Sequence, residues 1–218
     1  MAKQKNKTAL EDRGADGARL FSPSAARNRD AIRDVFLQNL PENGTVLEIG
    51  AGTGEHAIHI AAAAPGLRWR PSDPDETARR SISAHIEASG LASIDQPLAL
   101  DVADPKWTSG IQGAVDVIIS INMIHIAPFA AAQGLFAGAS RLLPGGGRLL
   151  FYGPFAQGGA HSAPSNEAFD ASLKARDPRW GVRDLEHDIA PLAQEFAFRR
   201  DAVVQMPANN FTVVFSKQ

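Results

Sequence analysis

One stretch constrains this chain more than any other. Val46-Leu47-Glu48-Ile49-Gly50-Ala51-Gly52-Thr53-Gly54-Glu55-His56 is an apolar β-type run that passes through three glycines at alternate positions into a helical pattern. A buried strand feeding a helix through a tight loop implies a parallel sheet, because the helix is the crossover that returns the chain to the next strand. The remaining sequence repeats the alternation. Helical patterns are expected at 24–40, 56–64, 77–88 and 130–143, and strands at 45–49, 67–70, 97–100, 115–121 and 148–152, with Pro71 closing the second strand. Residues 153–166 are rich in Gly, Ala, Ser and Pro and read as a loop, followed by helices at 167–175 and 185–196. The last runs, 201–206 and 211–216, flank Pro207-Ala208-Asn209-Asn210 and read as a closing hairpin.

Composition removes several function classes. With 218 residues, 44% hydrophobic and 21% charged, the chain can bury one sizeable core, and two independent domains are not expected. Its net charge of -2 offers no general attraction to nucleic acid or to an anionic membrane, so a small-molecule partner is expected. The most apolar stretch, 115–132, is broken by Asp116, Ser120, Asn122 and His125, too often for a membrane span. The absence of cysteine excludes thiol nucleophiles and cysteine-held zinc, and suits a reducing, cytoplasmic setting. No metal site is expected. Residues 1–20 lack an apolar signal region and are expected to form a flexible polar tail, with Lys3, Lys5 and Lys7 as a short basic cluster. The domain proper is expected over 21–218, with a substrate-side insertion at about 153–184.

The glycine loop carries the chemistry. Without Cβ atoms a ligand can lie directly on the main chain, and the N–H groups at the following helix start favour a carboxylate. A dinucleotide fingerprint needs its third glycine one place later, where this chain has Glu55. Glu48, at the strand end, would repel a diphosphate but suits the ammonium and sulfonium charges of S-adenosylmethionine (SAM). Asp73 follows the loop by the interval at which an acid accepts from both ribose hydroxyls, with Asp75 as its competitor. Asp101, after the third expected strand, is a candidate for the adenine amino group, with a surface turn as the competing reading. His56 can help to cap the cofactor.

Together with these, the segments Ala26-Arg27-Asn28-Arg29-Asp30, Ser72-Asp73-Pro74, Ile121-Asn122-Met123-Ile124-His125-Ile126-Ala127-Pro128, Tyr152-Gly153-Pro154-Phe155, Trp180-Gly181-Val182-Arg183-Asp184 and Met206-Pro207-Ala208-Asn209-Asn210 resemble class I SAM-dependent methyltransferases. In particular they resemble a branch of methyltransferase-like proteins of unknown function. The resemblance covers about residues 20–216. It implies a Rossmann-like three-layer α/β sandwich with a seven-stranded, mostly parallel sheet and an antiparallel last strand. It further implies that Glu48, Gly50, Ala51, Gly52 and Gly54 hold the methionine part of SAM, Asp73 and Pro74 the ribose, Asp101 and Val102 the adenine, and Asn122 and Met123 the cofactor's centre.

Methyl transfer from a sulfonium is an in-line displacement that needs alignment and exclusion of water more than a base. For a carboxylate- or hydroxyl-bearing acceptor, His125 is the candidate base, against the reading of a packed core histidine. Tyr152, the only tyrosine, ends a strand at the ligand-binding edge and is the second catalytic candidate. In the resembling branch, Arg27, Asn28 and Arg29 look like a lid able to contact a carboxylate. Phe155, Asn166, Phe169, Trp180 and Arg183 are expected to line the acceptor pocket, Arg183 implying an acidic group there. A non-catalytic SAM-binding scaffold stays open. A nicotinamide oxidoreductase is the further alternative, against which stand the glycine spacing and Ala156, where a Tyr-x-x-x-Lys pair needs lysine. Asn122-Met123-Ile124-His125 departs from the Asn-Pro-Pro-aromatic signature of base amino-group methyltransferases.

Overall fold

The computed structural model describes residues 11–218. A short hairpin, β1 (Gly14–Asp16) and β2 (Arg19–Phe21), leads into α1 (Pro23–Leu37), followed by β3 (Gly44–Ile49), α2 (Glu55–Ala62), β4 (Leu67–Ser72) and α3 (Glu76–Ser89). Then come β5 (Val117–Ile121), α4 (Phe129–Leu142), β6 (Arg148–Gly153), α5 (Pro164–Arg176), α6 (Ala190–Glu195), β7 (Phe198–Met206) and β8 (Asn210–Lys217). Local chemistry sets the helix starts. Ser22 caps α1 by accepting from the Ala25 N–H at 3.2 Å, with Pro23 as its first residue, and Asp75 caps α3 by accepting from the Ala78 N–H at 2.8 Å.

The main sheet has the strand order β4-β3-β5-β6-β8-β7. Strands β4, β3, β5 and β6 pair in parallel, while β8 runs antiparallel between β6 and β7, so the closing hairpin and the reversed last strand are as expected. Among the described residues six strands form this sheet rather than seven. The segment expected as a strand at 97–100 contributes only isolated bridges, Trp69 to Ile94 and Ser72 to Leu98. Pro97 lies between those contacts and has no N–H to continue a ladder. Conversely, β4 runs on through Pro71 to Ser72, because it is the edge strand, where proline is tolerated. The expected 185–196 helix is split into a wide π-type turn, Leu185–Ile189, and α6.

Strand residues alternate between two cores. Leu47, Ile49, Ile118, Leu149, Phe151, Val213 and Phe215 face α4 and α6. Val46, Val117, Ile119, Leu150, Tyr152 and Val214 face α1, α2 and α3, which makes the three layers. Phe136 of α4 stacks on Phe151, Phe198 and Phe215 with ring centres 5.6–5.7 Å apart. Each such fully buried side chain contributes about 1.5–3 kcal/mol against the entropy of ordering.

The polar tail expected over 1–20 is corrected in its second half, its first ten residues lying outside the described ones. The β1–β2 hairpin packs on α3: the Leu20 N–H donates to Ser81 Oγ at 2.8 Å, and His85 Nε2 donates to the Leu20 carbonyl at 2.9 Å. Upstream, Glu11 accepts from the Ser22 hydroxyl and from the N–H and hydroxyl of Ser24. Among the described residues no helix is long and apolar enough to cross a membrane.

Candidate functional site

Strands β3, β4, β5 and β6 run in parallel, so their carboxyl ends meet at one edge of the sheet, where α/β folds bind ligands. The glycine loop lies there and is tied to its neighbour. The Gly50 and Ala51 N–H groups both donate to the Ser72 carbonyl, at 3.0 and 2.9 Å, and Ser72 Oγ donates to the Glu48 carbonyl at 2.7 Å. Gly50 has φ +73°, and a Cβ there would fall 2.7 Å from Met123 Cγ, so close packing against the loop after β5 requires glycine. Gly52 differs: its φ is +61°, yet a Cβ would meet no atom of the described residues within 4 Å. That stretch of main chain is left-handed and open.

The Gly52 N–H donates to Asp73 Oδ2 at 3.0 Å, and the Asp75 N–H donates to Asp73 Oδ1 at 2.9 Å. Asp75 spends its own carboxylate on the α3 cap, so of the two acids considered from sequence it is Asp73 that faces the loop. Burial pushes the Asp73 carboxyl up, against the two N–H bonds and nearby Arg13, which lower it. Glu48 is placed differently from the expected charged partner of an ammonium. It is 1% exposed and accepts from Trp69 Nε1 at 2.8 Å. Burial pushes its pKa up to about 7, a rise that the Trp69 bond opposes and Asp73 reinforces. Two supports of the loop went unread in the sequence. Buried Glu55 accepts from the Ser22 N–H at 2.7 Å and from Thr53 Oγ1 at 2.9 Å, and Ser81 Oγ donates to the Thr53 carbonyl at 2.7 Å. An acid at the first position of α2 was the available signal for Glu55.

Beyond β5, Asn122 adopts φ +61°, a left-handed conformation that a non-glycine residue holds only under local constraint, and its N–H donates to the Tyr152 carbonyl at 2.8 Å. Tyr152 is buried; burial pushes its phenol up, and the nearby Asn28 side chain draws it down. His56 Nε2 in turn donates to Asn28 Oδ1 at 2.9 Å. Burial, with His59 and Arg29 nearby, pushes the His56 pKa down to about 4. Residues expected on the cofactor, lid and catalytic sides are thus brought into one cluster. Arg27 and Arg29 lie exposed on the same turn of α1, Arg27 donating to Ser24 Oγ at 3.1 Å.

His125 is where the competing reading prevails. It is 0% exposed, its Nδ1 accepts from the Arg183 N–H at 3.1 Å, and burial, then Arg183, push its pKa down to about 3. With Nδ1 occupied, the ring proton sits on Nε2, which has no partner among the described residues and packs on Gly153. A neutral ring with no free basic nitrogen has no means to take a proton. Arg183 is also committed elsewhere than to an acidic ligand. Its guanidinium donates to the carbonyls of Ile124, Ala127 and Arg179 and lies over the Phe129 ring, clasping the segment after α5 to the segment after β5.

The other pocket candidates are packing residues. Phe155 is fully buried edge-on to His125, Trp180 is buried, and Phe169 is half-buried. Asn166 donates to Ser162 Oγ and to the Asn209 carbonyl, at 2.8 Å each. Asp101 is exposed and accepts from the Ala103 N–H at 2.9 Å, as a surface turn does, while Val102 belongs to the core beside α4. Ala51 is buried and Pro74 exposed.

A family model described as "Protein of unknown function (DUF938)" matches residues 19–217. The chain belongs to this family. This DUF938 protein is also 34% identical over 109 residues to Ribosomal RNA small subunit methyltransferase C of Klebsiella pneumoniae subsp. pneumoniae, covering 49% of the chain and 30% of that protein. It is 32% identical over 114 residues to the protein of the same name from Yersinia pestis, covering 51% and 31%. The match thus spans about a third of the length of these curated relatives. Among solved structures it resembles an O-methyltransferase family protein from Burkholderia thailandensis, with TM-score 0.69, 17% identity and coverage of 88% of this chain and 60% of that one. It also resembles the S-adenosylmethionine-dependent methyltransferase SibL, with TM-score 0.70, 19% identity and coverage of 89% and 55%. A structure of PigF with SAH gives TM-score 0.69, 16% identity and coverage of 85% and 54%. At such identities the likeness establishes a shared fold.

Proposed function

We propose that this DUF938 protein is a SAM-dependent methyltransferase acting in the cytoplasm on a small molecule that bears a carboxylate or a hydroxyl. One observation carries the reading: the open, left-handed main chain at Gly52, whose N–H is bonded to the buried carboxylate of Asp73. A planar nucleoside bearing an amino acid fits such a cradle, because Cβ atoms are absent and an acid stands beside it for the sugar. Gly50, Ala51, Gly52 and Gly54 would hold the methionine part, with the N–H groups at the start of α2 toward its carboxylate. Asp73 has used one lone pair of each oxygen, which leaves acceptor capacity on both for the two ribose hydroxyls, next to Pro74. Asn122 and Met123 would meet the centre of the cofactor, and Asp101 and Val102 its adenine. SAM, when bound, supplies an electrophilic methyl whose bonding pair returns to sulfur as the acceptor's lone pair forms the new bond. The chain's own part is to align that acceptor and to exclude water. We read residues 21–218 as the methyltransferase domain, with 153–184 on its acceptor side.

The names of the curated relatives favour a second reading, ribosomal RNA as acceptor. The net charge of -2 and the sequence Asn122-Met123-Ile124-His125 speak against it. Calorimetry with S-adenosylhomocysteine (SAH) and with NADPH tests cofactor identity, and labelled SAM offered to a small-molecule extract and to ribosomal RNA tests the acceptor. Heat with SAH alone and label in the small-molecule fraction are expected. No heat at millimolar SAH would sink the reading, and binding without transfer to either pool would leave the scaffold.

A further inference from the structure

The segment between β6 and α5 leaves the sheet at its carboxyl edge and is fastened to the tip of the β7–β8 hairpin at that same edge. The Asn209 carbonyl accepts from Ser162 Oγ at 3.3 Å and from Asn166 Nδ2 at 2.8 Å. A cavity of about 420 Å³ opens here, lined by residues 159–164 and Glu167. His161 lines it, with its side chain a quarter exposed, and its Nε2 lies 3.6 Å from Asp170 Oδ2. Asp170 is held in place: its Oδ1 accepts from the Val182 N–H at 2.8 Å and its Oδ2 from Lys174 Nζ at 2.6 Å. Burial raises the Asp170 carboxyl, but Lys174, the Val182 N–H and His161 together outweigh it and hold the group below the usual carboxylate range. The 3.6 Å gap is too long for a full hydrogen bond, yet short enough for the carboxylate charge to hold the ring proton on Nε2.

Nδ1 is then a bare acceptor. It is shielded from water and has no hydrogen-bond partner among the described residues. A buried acceptor left unmet costs about 1–3 kcal/mol, a cost that a ligand hydroxyl seated against the ring removes. The other polar side chains of the cavity make the same demand. The Ser162 hydroxyl gives its hydrogen to Asn209 and accepts from Asn166 Nδ2 at 2.8 Å, so what remains on it is a lone pair. Glu167 is exposed, has no partner among the described residues, and as a carboxylate only accepts. A ligand carboxylate would find no side-chain donor here, whereas hydroxyls satisfy both Glu167 and Nδ1. The cavity also backs onto the loop after β5. A Cβ on Gly181 would fall 2.9 Å from Asp170 Oδ1, and the Gly181 N–H donates to the His125 carbonyl at 3.0 Å.

We propose that this cavity is a subsite for the methyl acceptor, that His161 is a specificity-determining residue whose Nδ1 accepts from an acceptor hydroxyl, and that Asp170 is the positioning residue that keeps the ring proton on Nε2. The inference rests on the methyltransferase reading and narrows it from a carboxylate or a hydroxyl to a hydroxyl-bearing acceptor. The tautomer is read without any acceptor, from long-range proton–nitrogen correlations of the chain labelled on its histidine ring nitrogens, with His161→Gln to assign the ring. At alkaline pH the proton is expected on Nε2 in wild type, and Asp170→Asn, which keeps an acceptor for the Val182 N–H, is expected to move it toward Nδ1. A wild-type ring protonated at Nδ1 overturns the proposal, and a tautomer unmoved in Asp170→Asn overturns the part given to Asp170. In the second arm, labelled SAM is offered to a dilution series of a small-molecule extract. His161→Phe is expected to hold SAH affinity within about threefold and to raise the extract needed for half-maximal transfer by about tenfold, with the maximal rate little changed. A dilution curve superimposed on that of wild type overturns the inference alone. Label is expected in material that passes an anion exchanger, and label confined to the retained material overturns the hydroxyl class. A wild-type protein that binds no SAH, or binds it and transfers no label, overturns the methyltransferase reading, while the nitrogen spectra still judge the His161–Asp170 pair.

Discussion

Replacing Gly52 by alanine separates the fold from the ligand. At φ +61° an alanine pays about 1–2 kcal/mol for the left-handed backbone, and the stiffer unfolded chain returns about 0.4–1 kcal/mol. The added methyl meets no atom of the described residues within 4 Å, so no packing penalty is added. A net loss of about 1 kcal/mol lowers the melting temperature of a domain of this size by about 2–4 °C. In the cofactor complex the same methyl stands where the ligand lies on the main chain, and SAH affinity is expected to fall about tenfold or more, about 1.4 kcal/mol. Gly50→Ala is the control. Its backbone strain is similar, but its methyl falls 2.7 Å from Met123 Cγ and 2.9 Å from Met123 Cβ, so overpacking of about 1–3 kcal/mol is added. Thermal melts and calorimetry on both variants are the assay. Wild-type SAH affinity in Gly52→Ala would refute the cradle, and a collapse of its melting temperature to that of Gly50→Ala would refute the open geometry.

Other expectations follow from the same contacts. Glu48, raised from 4.5 to about 7 in the folded chain, lends stability at acid pH that is lost as pH rises through about 7. Glu48→Gln, which keeps an acceptor for Trp69, should melt several degrees above wild type at pH 8 and close to it at pH 5; parallel melting curves across that range would contradict the burial argument. Gly153→Ala puts a methyl 2.3 Å from His125 Nε2, and a loss of about 1–3 kcal/mol or more in denaturant unfolding is expected. Arg183→Ala strands the carbonyls of Ile124, Ala127 and Arg179; faster hydrogen exchange at the Gly181 amide and at the amide of position 183 with unchanged SAH affinity is expected, and a large loss of affinity would mean that Arg183 touches ligand.

The layers of the fold were legible because β3, β5 and β6 are buried on both faces and read as continuous apolar runs, and because proline and glycine mark their ends. The missing strand near 97–100 was a question of pairing, which a single proline decided and local pattern did not reveal. The β1–β2 hairpin was illegible for a related reason. Its strands are three residues each, and its anchors Ser81 and His85 lie some sixty positions away. The juxtaposition of the glycine loop and Asp73 could be read from spacing, since backbone shape and strand ends follow local sequence. Arg183 and His125 could not, because what occupies a side chain depends on which carbonyl or N–H the tertiary fold brings to it.

The Glu55 contact changes where the working boundary of this molecule falls. That carboxylate is shared between Thr53, inside the glycine loop, and the main chain of Ser22. A shortened version beginning at Pro23 would remove the Ser22 N–H and leave Glu55 the Thr53 hydroxyl as its hydrogen-bond donor, at the root of the helix that carries His56. Any tag or cut made near residue 22 therefore acts on the glycine loop through Glu55, though in sequence it looks like trimming a tail.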